Sequence, residues 1–111
     1  MVSPISPGEP ALVNPFGITA GRPLDEIIHT RLFNGASTVA PRYSSDDRES
    51  AKVAFQLELK FGRKVILGTT RGIPPRYFAR LESNSDTAIE VFGESAPLAI
   101  CRLAAVLLSS A

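Results

Sequence analysis

The sequence predicts one α+β domain, layered helix–sheet–helix in the order α-α-β-β-β-α, with a three-stranded antiparallel meander and a buried C-terminal helix. Three observations predict it. Residues 96–108 hold one charge, Arg102, and are otherwise apolar or Pro97. Two earlier segments place Leu24, Ile27, Ile28 and Leu32, then Val53, Ala54, Leu57 and Phe61, at the three-and-four spacing of a helix face. Between them and the final helix, three short β-type runs are separated by turn residues.

Residues 1–22 read as an N-terminal arm, ahead of a domain at 23–111. Pro4, Pro7, Pro10 and Pro15, with Gly8, Gly17 and Gly21, forbid a continuous helix and remove donors from any sheet. Leu12, Val13, Phe16 and Ile18 are the residues that would pin the arm to the domain or to a neighbouring subunit. Pro23 opens the first helix, with Asp25 and Glu26 at its positive end, and Asn34-Gly35 stops it. Small residues, 36–41, then connect to the second helix. Its start carries two cap candidates, Ser44, which with Asp47 matches a capping box, and Ser45, and Gly62 is the natural stop.

Residues 64–67 form a short β-type run before a loop from Gly68 to Pro75. Residues 76–82 alternate, with Tyr77, Ala79 and Leu81 facing one way and Phe78 and Arg80 the other. A turn at 83–86 leads to a third strand at 87–92, carrying Ile89, Val91 and Phe92. Short connections make the three strands a meander.

The last helix then starts with Ser95 as N-cap and Pro97 in the first turn. At about 1.5 Å per residue it is roughly 20 Å long, short of the ~20 apolar residues that a bilayer demands. A surface helix shows one apolar stripe, and this one is apolar nearly all round. It therefore needs cover on more than one side, either from the first two helices holding it against the sheet or from a second copy. The second case makes the protein a homo-oligomer.

Composition narrows the function. The 111 residues suffice for one core, and 12 basic against 11 acidic residues leave a net charge of +1, with no general pull toward nucleic acid or membrane. The single Cys101 excludes an internal disulfide and reads as a small buried hydrophobe. No secretory signal is legible, so the expected location is the cytoplasm.

Tyr43-Ser44-Ser45-Asp46, opening the second helix, and Glu94-Ser95-Ala96-Pro97-Leu98-Ala99-Ile100-Cys101-Arg102, opening the last, resemble the phage "ABA sandwich" domain family of small bacteriophage and prophage proteins. That family typically has Tyr-Ser-Thr-Asp at the first place and Ala-Pro-Leu-Ala-Ile-Cys-Arg at the second. Leu24-Asp25-x-x-Ile28 is similar to its first helix, so the likeness runs over residues 23–108. The proline-rich arm and the few aromatics in the strands depart from the pattern. The resemblance implies a phage or prophage origin and a layered fold, and it carries over no catalytic residue.

The residues themselves argue against an enzyme. His29 is the lone histidine, and as a base it would need Asp25, four residues earlier, to orient it; it reads as a surface residue. One histidine and one buried cysteine do not make a zinc site, no phosphate-binding glycine motif precedes a helix, and no cofactor is expected. Binding is better supported. Arg71, Arg76 and Arg80, with Arg63 and Lys64, concentrate positive charge around the hairpin. Tyr77, Phe78 and Tyr43 offer stacking faces, and Ser95 offers a polar group at a helix start, opposed by Glu94. Guanidinium forks and aromatic faces suit a small anionic nucleotide ligand. The competing assignment is a solvated sheet face paired with Glu82 and Glu90.

Three functions follow. The first is an oligomeric sponge that sequesters a nucleotide immune signal of the host, an inference from the implied origin. The second is a protein-interaction or structural module. The third, double-stranded RNA binding, shares the helix, three-strand, helix order, but Glu94-Ser95-Ala96-Pro97 stands where such domains put lysines.

Overall fold

A computed structural model describes residues 18–35, 39–82 and 89–109. Three helices and a three-stranded antiparallel sheet follow in the expected order: α1 (Arg22–Arg31), α2 (Asp47–Phe61), β1 (Val65–Thr69), β2 (Tyr77–Leu81), β3 (Glu90–Gly93) and α3 (Ala96–Ser109). The expected turn at 83–86, the start of the third strand at 87–88 and most of the arm lie outside the described residues.

Every layer meets at α3. Its first-turn amide at Leu98 donates to Ser95 Oγ (3.3 Å), the cap the sequence provides, and Pro97 follows where no donor is needed. From there the helix is buried continuously to Val106 and again at Leu108. It packs on β2 and β3 on one side and on α1 and α2 elsewhere. Ala79 and Val91, paired across β2 and β3, face it from the sheet, and Leu24, Ile28, Val53 and Leu57 face it from the helices. One chain therefore covers this helix. The argument for a second copy that rested on α3 falls away.

Arg102 survives in that setting because its charge is spread over two carbonyls. Nε donates to Ile18 C=O (2.7 Å) and Nη1 to Phe92 C=O (2.9 Å), while only 7% of the residue is exposed. A buried cation without such acceptors would cost several kcal/mol, of order the whole stability of a small domain. Of the expected arm contacts, Ile18 is the described one. Leu12, Val13 and Phe16 lie outside the described residues.

Several boundaries differ from the sequence reading. α1 stops at Arg31 with Leu32 as its C-cap, ahead of the expected Asn34-Gly35. The cap of α2 is Asp46, whose Oδ1 accepts from Arg48 N–H (2.8 Å) and Glu49 N–H (3.1 Å); it is neither Ser44 nor Ser45. Ser44 is fully buried and used elsewhere. Its Oγ accepts from Gly21 N–H (2.9 Å), and its own N–H donates to Asp25 Oδ1 (2.8 Å), so it ties the start of α1 to the approach to α2. A tertiary demand thus takes the residue that local chemistry would have made a cap. At the other end Gly62 closes α2 in the left-handed region, φ 68°.

β1 also runs two residues past its expected end, through Gly68 and Thr69, which pair with Phe78 and Tyr77. Gly68 reads as a turn residue in isolation. In the sheet it makes room for a neighbour: a Cβ there would stand 2.5 Å from Phe78 Cζ.

Candidate functional site

The face of the sheet turned away from α3 carries the charge and the rings. Directly paired residues share a face, so Ile66 lies beside Arg80, Gly68 beside Phe78, and then Phe78 beside Phe92 and Arg80 beside Glu90. The Phe78 ring lies across Gly68, and its centroid is 6.4 Å from that of Phe92 at a 58° tilt. The Arg76 guanidinium carbon sits 5.4 Å above the Phe92 ring, within cation–π reach.

The hairpin end brings the second exposed arginine near the first. Thr70 N–H donates to Arg76 C=O (2.7 Å) and Thr70 Oγ1 accepts from Arg76 N–H (3.2 Å), so the loop closes on that rung. Arg71 follows Thr70 directly and is exposed, as are Ile73 and Pro74, which are joined by a cis peptide. Arg80 is already engaged with Glu90 across the strands (3.9 Å), in line with the solvated-face assignment for that residue. Arg63 Nη1 donates to Glu82 C=O (3.3 Å), which keeps it at the far end of the sheet.

The predicted set therefore divides. Arg76 and Arg80 stay on one face together with Phe78, while Arg71 is an exposed residue of the loop that joins β1 to β2. Tyr77 is one residue out of phase: it lies on the α3 side, partly buried against the core, as strict alternation requires. Tyr43 is buried between the helices, 3% exposed, with its ring stacked on Phe33 (5.0 Å, 3°) and its hydroxyl 2.9 Å from His29 Nδ1. That ring face is occupied. Ser95 spends its hydroxyl on the α3 cap.

Phe92 is the residue of this face that sequence reasoning left among the strand hydrophobics. Its register opposite Phe78 was the available signal, since both occupy even-numbered outward positions. His29 is half-buried, with Nδ1 2.9 Å from the Tyr43 hydroxyl, and Asp25 Oδ1 accepts from Ser44 N–H.

Acid–base chemistry has little foothold in these contacts. Burial raises the Cys101 thiol pKa well above its ordinary value, with Asp25 adding to the effect, so the neutral thiol is the resting form. Burial likewise raises the Tyr43 hydroxyl, helped by Glu49 and Asp25. Among the described residues no cluster of three or more His, Cys, Asp or Glu side chains is placed to hold a metal ion. No described helix is long and apolar enough to cross a membrane.

Comparison with protein-family models, curated proteins and solved structures finds no match for this chain. The reading of the site therefore rests on its own geometry.

Proposed function

We propose that this protein is a non-enzymatic binder of a small phosphorylated, base-bearing ligand, taken up on the outer sheet face and held away from its receptor. The observation that carries the reading is the Arg76 guanidinium carbon 5.4 Å over the Phe92 ring beside Phe78, with the exposed Arg71 in the adjoining loop. A guanidinium within cation–π reach of a ring still has N–H donors for phosphate oxygens, and the neighbouring ring offers a surface for a base. The resemblance to phage proteins is what supports the ligand class proposed here, a nucleotide immune signal of the host, sequestered in its cytoplasm.

The test is a melting-temperature screen against cyclic di- and trinucleotides. A ligand at a hundred times its Kd stabilises the native state by about 2.7 kcal/mol. For a domain of this size that is roughly 10 °C in Tm. Arg76→Ala and Arg71→Ala should each remove most of the rise while leaving the unliganded Tm within a degree or two, since both residues are exposed. A full panel without a rise, or variants that respond like the parent, would sink the reading.

A protein-interaction role is favoured by a different observation. Phe55 and Leu59, one turn apart on α2, are 58% and 63% exposed, and Ile73 at the hairpin tip is fully exposed. Light scattering on the purified chain, with and without nucleotide, separates a ligand-dependent assembly from a constitutive one.

A further inference from the structure

A second recess lies between the start of α1 and the segment leading into α2. Arg22, Asp25, Val39, Ala40, Arg42 and Ser45 line a cleft of about 550 Å³, within the size range of small-ligand sites. The chain builds it by the Ser44 tie described above, which draws residues some twenty positions apart into one wall.

The chemistry of that wall is of mixed sign. Asp25 is 5% exposed and is fixed through Oδ1 by the Ser44 N–H, while Oδ2 has no donor among the described residues. Arg42 at the rim is exposed and makes no ion pair among the described residues, whereas Arg22 is held by Glu26 (2.9 Å). Asp25 against Arg42, and Glu26 against Arg22, sum to zero charge. A dianionic ligand would find one guanidinium outside an ion pair, Arg42, with the Asp25 carboxylate beside it, and a simple cation would meet two guanidinium groups. The named lining residues carry no aromatic ring, so a nucleobase finds no stacking platform here.

We propose that this cleft binds a small amino-carboxylate zwitterion, an amino acid or a short peptide with free termini. Its ammonium group donates to Asp25 Oδ2, and its carboxylate accepts from the Arg42 fork, with Arg22 beside it. Val39 and Ala40 cover the aliphatic part. The positive end of α1, where Gly21 has no side chain to act as a cap, adds to the pull on the carboxylate. This site is independent of the sheet face, in residues and in ligand chemistry.

Triglycine is the probe, titrated into the full chain and followed by amide chemical shifts. Saturable, millimolar-range shifts confined to the residues around Gly21, Asp25 and Arg42 are expected. N-acetyl-triglycine lacks the ammonium group and triglycinamide lacks the carboxylate; each should bind at least about tenfold more weakly. Arg42→Gln, a change at an exposed position, should weaken triglycine by a similar factor with the rest of the spectrum unmoved. Asp25→Asn keeps a carbonyl for the Ser44 N–H and removes the charge, so it should weaken triglycine and leave triglycinamide no better bound. Free glycine binding as well as triglycine assigns the site to amino acids; weaker binding assigns it to peptides. No shifts at millimolar triglycine, equal binding of the capped forms, or parent-like binding by Arg42→Gln would overturn the proposal.

Discussion

Replacing Arg102 by methionine tests the packing logic at its most demanding point. The guanidinium makes two hydrogen bonds, to Ile18 C=O and Phe92 C=O, from inside a helix that is buried on almost every side. Bonds from a charged donor contribute about 1.5–3 kcal/mol each, which sets an upper figure of roughly 6 kcal/mol for their loss. Against this, methionine fills most of the same volume and relieves a desolvation penalty of several kcal/mol. The balance is a destabilisation of about 2–4 kcal/mol, a large share of the ~5–15 kcal/mol typical of a domain. With a urea m value of about 1–3 kcal/mol per molar, the unfolding midpoint should fall by roughly 1–2 M. Arg102→Lys should lie between the two, because a single ammonium group does not span both carbonyls as the fork does. An Arg102→Met midpoint within error of the parent would show that the tie between α3, β3 and Ile18 is not what the contacts indicate.

Other substitutions probe different terms. A Cβ on Gly93 would stand 2.8 Å from the Ala99 backbone nitrogen and 3.1 Å from Leu98 Cγ, so Gly93→Ala has to push β3 off α3. It should destabilise by about 1–3 kcal/mol or more in thermal melts, and a neutral result would mean that the sheet and helix slide freely. Leu103→Asp places an unpaired carboxylate in the fully buried centre and should leave no cooperative unfolding transition by circular dichroism. The Cys101 thiol should resist alkylation in the native protein and react only as the chain unfolds, so rapid labelling of folded protein would contradict its burial. The raised pKa values of Cys101 and Tyr43 mean that folding favours their neutral forms. The resulting stabilisation is complete below the unfolded values, about 8.5 and 10, and is lost as pH rises above them. The urea midpoint should therefore decline above roughly pH 8.5, and Cys101→Ala should flatten the first part of that decline.

The parts of this molecule legible in sequence are those fixed by local chemistry. Ser95 and Pro97 define the start of α3, Gly62 defines the end of α2, and the alternation from Tyr77 to Leu81 assigns the two sheet faces. What escaped depends on contacts between distant residues. Ser44 and Ser45 are the local cap candidates, yet Asp46 takes the role, and Ser44 is claimed instead by Gly21 and Asp25. Tyr43 looked available for stacking because its sequence neighbours are polar, yet Phe33, ten residues earlier, covers its face. The alternation already placed Tyr77 opposite Phe78, so grouping both rings in one site conflicted with a pattern read from the same strand. The cleft at Asp25 has no sequence signature at all, since its walls come from two separate segments.

The polar side chains of the helices also bear on which part of the sheet can receive a partner. Lys64 C=O accepts from Glu82 N–H, so β1 turns its even-numbered backbone groups toward β2 and its odd-numbered ones outward. The outward Val65 N–H is taken by Glu58 Oε2 of α2 (2.8 Å). On the other edge, the register of β3 turns the backbone of Phe92 outward, and its C=O is taken by Arg102. Each edge strand thus has an outward group already bonded to a helix side chain, which hinders a further strand from adding in register. Recognition by strand addition would have to break a bond on either side before making its own. The outer face imposes no such cost: its polar groups end in side chains, and Arg76 beside it is exposed, with its guanidinium carbon 5.4 Å from the Phe92 ring centroid. The same contacts that hinder the sheet from growing sideways leave its outer face free of that cost, and it is this face that the proposed ligand would use.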